Sequence, residues 1–182
     1  MAPCTNGDGD MGKKETVSIV VMGVAGTGKT TLAEELAKHL KWPYAEADDF
    51  HPKANIEKMA AGHPLTDEDR WPWLQALRDW ISEQSAQGHC TLVTCSALKR
   101  VYRDVLRQAK SRVVFVELDL DKDDLRRRMT QRAHFMPISL LDSQLQTLEP
   151  LESDEDGFKL LSSPAPDILA DTVMDRLSLR VS

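Results

Sequence analysis

The stretch Val17-Ser18-Ile19-Val20-Val21-Met22-Gly23-Val24-Ala25-Gly26-Thr27-Gly28-Lys29-Thr30 decides how this chain folds. Its apolar first part predicts a buried strand, and Gly23 to Thr30 match the phosphate-binding P-loop pattern. That pattern works as a turn between a strand and a helix N-terminus, where unpaired backbone N–H groups and the helix dipole meet an anion. The helix is also present: Leu32, Leu36 and Leu40 recur every fourth residue with Ala33 and Ala37 beside them, the spacing of an amphipathic helix. The nucleotide-binding segment therefore comprises Gly23, Val24, Ala25, Gly26, Thr27, Gly28, Lys29, Thr30 and Thr31, the last as a structural member. Its glycines permit close approach to phosphate oxygens. Lys29 brings positive charge to the β- and γ-phosphates of ATP, and the Thr30 hydroxyl is the expected Mg²⁺ ligand.

Working outward, apolar runs return at Pro43 to Asp48, Cys90 to Cys95 and Val113 to Leu118, each followed by a helix-like segment. Strands alternating with helices predict an α/β fold with a central parallel sheet flanked by helices. Functional groups then belong at the carboxyl ends of the strands, which points to Asp48, Ser96 and Asp119. Residues 1–16, rich in Gly, Asp, Asn and Pro, read as a flexible tail, and residues 17–182 as a single domain. Within it, about 50–87 reads as a helical substrate lobe interrupted by prolines, and about 125–148 as an arginine-bearing lid. A weakly signalled strand is expected at Phe158 to Leu161 and a closing helix from Pro166 to Leu179.

Composition narrows the function classes. The 182 residues suffice for one substantial core, and 41% hydrophobic with 29% charged residues is ordinary for a soluble globular protein. A net charge of −6 argues against a general nucleic-acid or membrane-surface binder, so any basic site must be local. No apolar stretch approaches the roughly 20 residues that span a bilayer, and a cytoplasmic location is expected. Cys4, Cys90 and Cys95 do not make a disulfide framework or a metal spacing, and the last two read as buried thiols beside a strand.

Phosphoryl transfer needs positioning, charge neutralisation and a group that orients or deprotonates the acceptor hydroxyl. Asp48 suits the last role, or else caps the following helix with Asp49. His51 either binds substrate or makes the turn before Pro52. Asp67-Glu68-Asp69 suits a helix N-terminus. Arg70 next to it either forks onto a carboxylate or phosphate or pairs with those acids. Lys99, Arg100 and Arg103 crowd cations at a helix start, which the dipole disfavours, so an anionic ligand is expected to compensate them unless they form a solvated basic face. Arg126, Arg127, Arg128 and Arg132 exceed the needs of a salt-bridged helix, and a lid carrying them would stabilise charge on the transferred group.

Taken together, these blocks resemble the gluconokinase family from about Ile19 to the C-terminus. The resemblance rests on Asp48 with His51-Pro52, Asn55 to Met59, Gly62 with Pro64-Leu65, Asp67 to Arg70 leading into Pro72-Trp73-Leu74, Cys95 to Lys99 with Tyr102 to Asp104, His134-Phe135-Met136, and Gln144 with Thr147 to Pro150. It implies an adenylate- or shikimate-kinase-like P-loop fold and transfer of phosphate from ATP to D-gluconate, giving ADP and 6-phosphogluconate, an entrance to the pentose phosphate pathway. It further implies Lys29, Asp48, Arg128 and Arg132 as catalytic residues, with Asp48, His51, Lys58, Arg70, Ser96, Lys99, Arg103 and His134 around gluconate, and a homodimer. Two departures stand out: Glu46 occupies a position where aspartate is usual, and Gln131-Arg132-Ala133 precedes His134 where an arginine and a glycine are usual, which leaves Arg128 and Arg132 as alternatives for the lid arginine.

Rival readings are a shikimate-type or nucleoside-monophosphate kinase, since fold does not fix the acceptor, and a nucleotide switch without turnover. The switch would need an Asn-Lys-x-Asp motif, which the chain lacks.

Overall fold

The computed structural model describes residues 15–131 and 138–179. Strands β1 (Val17–Met22), β2 (Tyr44–Glu46), β3 (Thr91–Thr94), β4 (Arg112–Asp119) and β5 (Gly157–Leu161) form one sheet in the order β2-β3-β1-β4-β5, all neighbours parallel. Parallel neighbours require long crossovers, and helices supply them. Helix α1 (Lys29–Leu40) follows β1; a 3-10 turn (Ala47–Phe50), α2 (Lys53–Ala60) and α3 (Asp67–Ala86) follow β2. Helix α4 (Arg100–Arg107) follows β3, α5 (Lys122–Gln131) and α6 (Ile138–Thr147) follow β4, and α7 (Pro166–Arg176) closes the described fold.

All six residues of β1 are buried because both faces of the sheet are covered. Val20 and Met22 pack into one apolar cluster with Trp73, Leu77, Leu106 and Phe115. Val17, Ile19 and Val21 face the other, with Leu32 and Leu36 of α1 and Val173 of α7. Burying one such aliphatic side chain stabilises by about 1.5–3 kcal/mol, so β1 and its two helical layers anchor the P-loop that leaves its carboxyl end.

Three local departures from expectation shape the site. Strand β2 stops at Glu46, and the chain tightens into the 3-10 turn, which carries Asp48 just past the strand end. Helix α3 runs straight through Pro72 instead of breaking there. Proline has no N–H for the preceding turn, and α3 is held instead by buried Trp73, Leu74, Leu77 and Ile81 and by a capping box between Thr66 and Asp69. The weakly signalled last strand is complete as β5, and it lies close against β4: a Cβ on Gly157 would sit 2.1 Å from the Phe115 carbonyl oxygen. Cys95 is a buried free thiol, pushed up to about 12 by burial and so unreactive. Cys90 is buried, and its Sγ accepts a hydrogen bond from the Val17 N–H at 3.2 Å. Among the described residues, no helix is long and apolar enough to cross a membrane.

Candidate active site

The P-loop meets α1 at Gly28, whose φ of 91° places it in the left-handed region. Helix α1 has no side-chain cap and no acid in its first turn, so no side chain of that turn offsets its positive end. The Lys29 ammonium folds back over the loop and donates to the carbonyls of Gly23 and Val24, each at 3.0 Å. Burial lowers its pKa, while the charge of Asp48, and more weakly of Glu46, works to restore it. The loop is braced from outside: Arg128 of α5 donates to the carbonyls of Gly26 and Ser162 at 3.4 and 3.5 Å, and the Ala25 N–H donates to Gln144 Oε1 of α6 at 2.8 Å.

Thr30 donates its hydroxyl to Glu46 Oε1 at 2.8 Å, and the same carboxylate accepts from the hydroxyls of Tyr44 and Thr94. Glu46 thus ties the ends of β2 and β3 to the start of α1. Beyond it lies a cavity of ≈ 240 Å³ lined by Lys29, Glu46, Asp48, His51, Arg70 and Ser96, among others. The Asp48 side chain is 59% exposed, and that exposure opens into the cavity. Confinement there raises its pKa, with Glu46 and Asp49 adding to the rise and Lys29 opposing it. Asp48 does not cap α2, whose N-cap is Pro52.

His51 is only 2% exposed and stacks on Trp73 with ring centroids 4.1 Å apart. Burial, reinforced by the charge of Arg70, pulls its pKa down to about 4. A neutral imidazole follows near pH 7, with Nδ1 facing the Asn55 amide at 3.3 Å and Nε2 3.8 Å from Asp48, too long for a hydrogen bond. The stack is locked from behind, since Trp73 Nε1 donates to the Ala47 carbonyl at 2.6 Å.

The far wall carries charge. Arg70 donates to the Tyr102 hydroxyl at 2.7 Å and lies 5.0 Å from the centre of its ring. Tyr102 donates in turn to Asp67, which also accepts from Lys99 at 3.2 Å. The Tyr102 hydrogen bond leads the effects that hold Asp67 below the usual carboxylate range. A phosphate cradle, a cavity-facing acid and a fixed guanidinium therefore meet at the carboxyl ends of β1, β2 and β3, the place where open parallel sheets bind ligands.

Residues 19–137 match the model of the AAA domain family. The chain is 48% identical to the gluconokinase of Gluconobacter oxydans over 157 residues, 86% of this chain and 88% of that protein. The chain belongs to the gluconokinase family. Among solved structures, a sugar kinase from Janibacter superposes with a TM-score of 0.85 at 48% identity, covering 90% of this chain and 95% of that one. A gluconokinase from Sinorhizobium meliloti gives 0.78 at 41%, covering 88% and 92%.

Not every residue that the gluconokinase-family resemblance implied reaches the cavity. Ala25, Gly26, Gly28, Lys29, Thr30 and Thr31 line it, as do Asp48, His51, Arg70 and Ser96. Lys58 is held by Asp69 at 2.6 Å and Lys99 by Asp67, so both sit beside the cavity in pairs of the chain's own making. Arg103 has to be corrected outright. It is fully buried, forked onto Glu155 at 2.7 and 2.9 Å, and bonded to the carbonyls of Ala97 and Glu149. Arg100 pairs with Glu152 and Asp154, so the cations at the start of α4 are compensated by the chain's own acids rather than by a ligand. Arg132 and His134 lie outside the described residues. Sequence reasoning missed Glu46 and Gln144 as lining groups and Tyr102 as the partner of Arg70. The odd residue at position 46 and the family block around Gln144 were the available signals for the first two.

Proposed function

We propose that this protein transfers the γ-phosphoryl group of ATP to a hydroxyl of D-gluconate, giving ADP and 6-phospho-D-gluconate. The observation that carries the reading is the joining of the P-loop to Asp48 and Arg70 in one cavity of a chain from the gluconokinase family. In this reading the loop amides and Lys29 hold the β- and γ-phosphates. Asp48 accepts the proton of the attacking hydroxyl; its raised pKa makes it a better base than an ordinary carboxylate. Neutral His51 shapes the acceptor side without adding a charge that would compete for the substrate. Arg70 receives the carboxylate of gluconate, for which a guanidinium fork is the matching donor. Arg128, against the P-loop, or Arg132 is the arginine that answers charge on the moving phosphoryl group.

Mg²⁺ fits the oxygens at the P-loop end, where Thr30 Oγ1 and Glu46 Oε1 lie 2.8 Å apart. Among the described residues no cluster of His, Cys, Asp or Glu forms a dedicated metal cage, in keeping with an ion held mostly by phosphates and water. Thr30 Oγ1 and the Glu46 carboxylate would hold the ion on the protein side, and it would supply positive charge against the phosphates.

The test is ADP release from ATP and Mg²⁺ with gluconate, shikimate, AMP or no acceptor in parallel. Gluconate is expected to raise the rate well above the other three. A gluconate rate equal to the blank sinks the assignment.

A further inference from the structure

One P-loop donor is already committed to a side chain. The Ala25 N–H points at Gln144 Oε1 from 2.8 Å, a good backbone-to-side-chain hydrogen bond, and Gln144 belongs to α6, not to the loop. Its place on the loop matters. Lys29 Nζ, the group that reaches the β- and γ-phosphates, is drawn back to the carbonyls of Gly23 and Val24. The Ala25 amide therefore lies at the terminal-phosphate end of the cradle, away from the α1 amides that receive the inner phosphates. A phosphate oxygen within reach of that N–H would face the Gln144 carbonyl oxygen, two acceptors competing for one donor. Gln144 must then leave when a terminal phosphate arrives.

Helix α6 also reaches another part of the cavity wall. Leu140, one turn earlier, packs with Met59 of α2 and Leu65 in a small buried cluster separate from both main cores. Leu140 and Ser143 also line the acceptor side of the cavity. One helix thus holds the P-loop at one point and walls the acceptor site at another.

We propose that Gln144 is a positioning residue that competes with the terminal phosphate of a nucleoside triphosphate for the Ala25 amide, so that a triphosphate, unlike a diphosphate, has to displace the Gln144 side chain on binding. This rests on the kinase reading of the cavity but not on the identity of the acceptor. The residue sets how well the cradle separates ATP from ADP.

Calorimetric titration of the full chain with Mg²⁺ and either ADP or the non-hydrolysable analogue AMP-PNP, with no acceptor present, tests the proposal. Removing the competitor in Gln144→Ala is expected to tighten AMP-PNP about fivefold, the worth of one net hydrogen bond, and to leave ADP within about twofold. Gln144→Glu, which keeps the length of the side chain, sets a carboxylate against the terminal phosphate. It should weaken AMP-PNP by about tenfold with a much smaller effect on ADP. If the two nucleotides shift together, or if Gln144→Ala weakens AMP-PNP or leaves it unchanged, the proposal is overturned. Should Gln144→Ala fail to fold, the Glu variant decides alone, through the ratio of the two affinities. Gluconate-dependent ADP release by the unaltered protein is measured separately, so a wrong acceptor assignment cannot be mistaken for a failed titration.

Discussion

Tyr102 and Arg103 are neighbours on α4, yet they serve two different charge clusters. Tyr102 turns toward the cavity, where its hydroxyl joins Arg70 to Asp67. Arg103 turns the other way, and its five N–H donors are met by the Glu155 carboxylate and the carbonyls of Ala97, Glu149 and Pro150. Arg70 has one firm neutral partner and an acid 4.0 Å away, and it lines the cavity. What separates the cavity-facing arginine from the buried one is the supply of acceptors around it, not its charge. The Arg103 cluster fastens the segment from Glu149 to Glu155 onto α4, while the Arg70 cluster holds a guanidinium at the cavity wall.

The sharpest way to break that contrast is Arg103→Met. Removing one partner of a fully buried pair leaves Glu155 without its fork, a loss of about 3–5 kcal/mol of stability. Urea or thermal unfolding measures it, and the KM for gluconate of the folded enzyme should stay close to wild type. A raised KM with unchanged stability would return Arg103 to the substrate. Acid gives a second reading of the same pair. Burial alone would raise the pKa of Glu155, but hydrogen bonds from Arg103, the Glu152 amide and Arg107 outweigh it and hold it at about 2. A depressed carboxyl stabilises fully above its unfolded value of 4.5 and loses that contribution as pH falls toward 2. The stability gap between wild type and Arg103→Met should therefore narrow through that window, and a gap independent of pH would contradict the pairing.

On the cavity side, the next largest effect belongs to Asp48. Asp48→Asn keeps the shape and removes the proton acceptor, and kcat should fall by about 10² or more. Steady-state kinetics at saturating ATP and gluconate read this directly, and an unchanged kcat would reduce Asp48 to a part of the 3-10 turn. Arg70→Met should act on binding instead. Loss of a charged hydrogen bond to the substrate carboxylate raises the KM for gluconate by roughly 10- to 100-fold, with a smaller change in kcat. If Arg70→Met moved only stability, the two clusters would be alike after all.

The donor half of the site was legible because it is built mostly from backbone. Contiguous residues from Gly23 to Thr30 define a turn, and the buried strand and amphipathic helix on either side are periodic enough to read. The two-sided burial of β1 and β4 was legible for the same reason. The acceptor half was only partly so, since it draws side chains from the end of β2, the 3-10 turn, α3 and α6. Arg103 illustrates the loss: its compensating acid, Glu155, lies 52 residues away, beyond the reach of any local charge pattern. Pro72 misled in a similar way, because burial of the four apolar residues after it outweighs the bond it cannot make. Gln144 could be seen as part of a family block, but its hydrogen bond to Ala25 spans 119 residues and exists only in the folded chain.

The smallest predicted change probes how the cavity-side cluster holds its arginine. Tyr102→Phe removes one hydroxyl and keeps the ring, including its edge contact with Trp71 at 5.6 Å between centroids. Arg70 loses the acceptor at 2.7 Å, and Asp67 loses the bond that does most to keep its pKa low. The guanidinium is then free to turn toward Asp67, now 4.0 Å away, and a self-made ion pair would compete with the substrate carboxylate. The KM for gluconate should rise about fivefold, in line with one net hydrogen bond, with kcat nearly unchanged. If Tyr102 served packing alone, the ring left in Tyr102→Phe would be enough and KM would not move. A selective rise in KM is thus the result that separates an oriented arginine from one that is merely nearby.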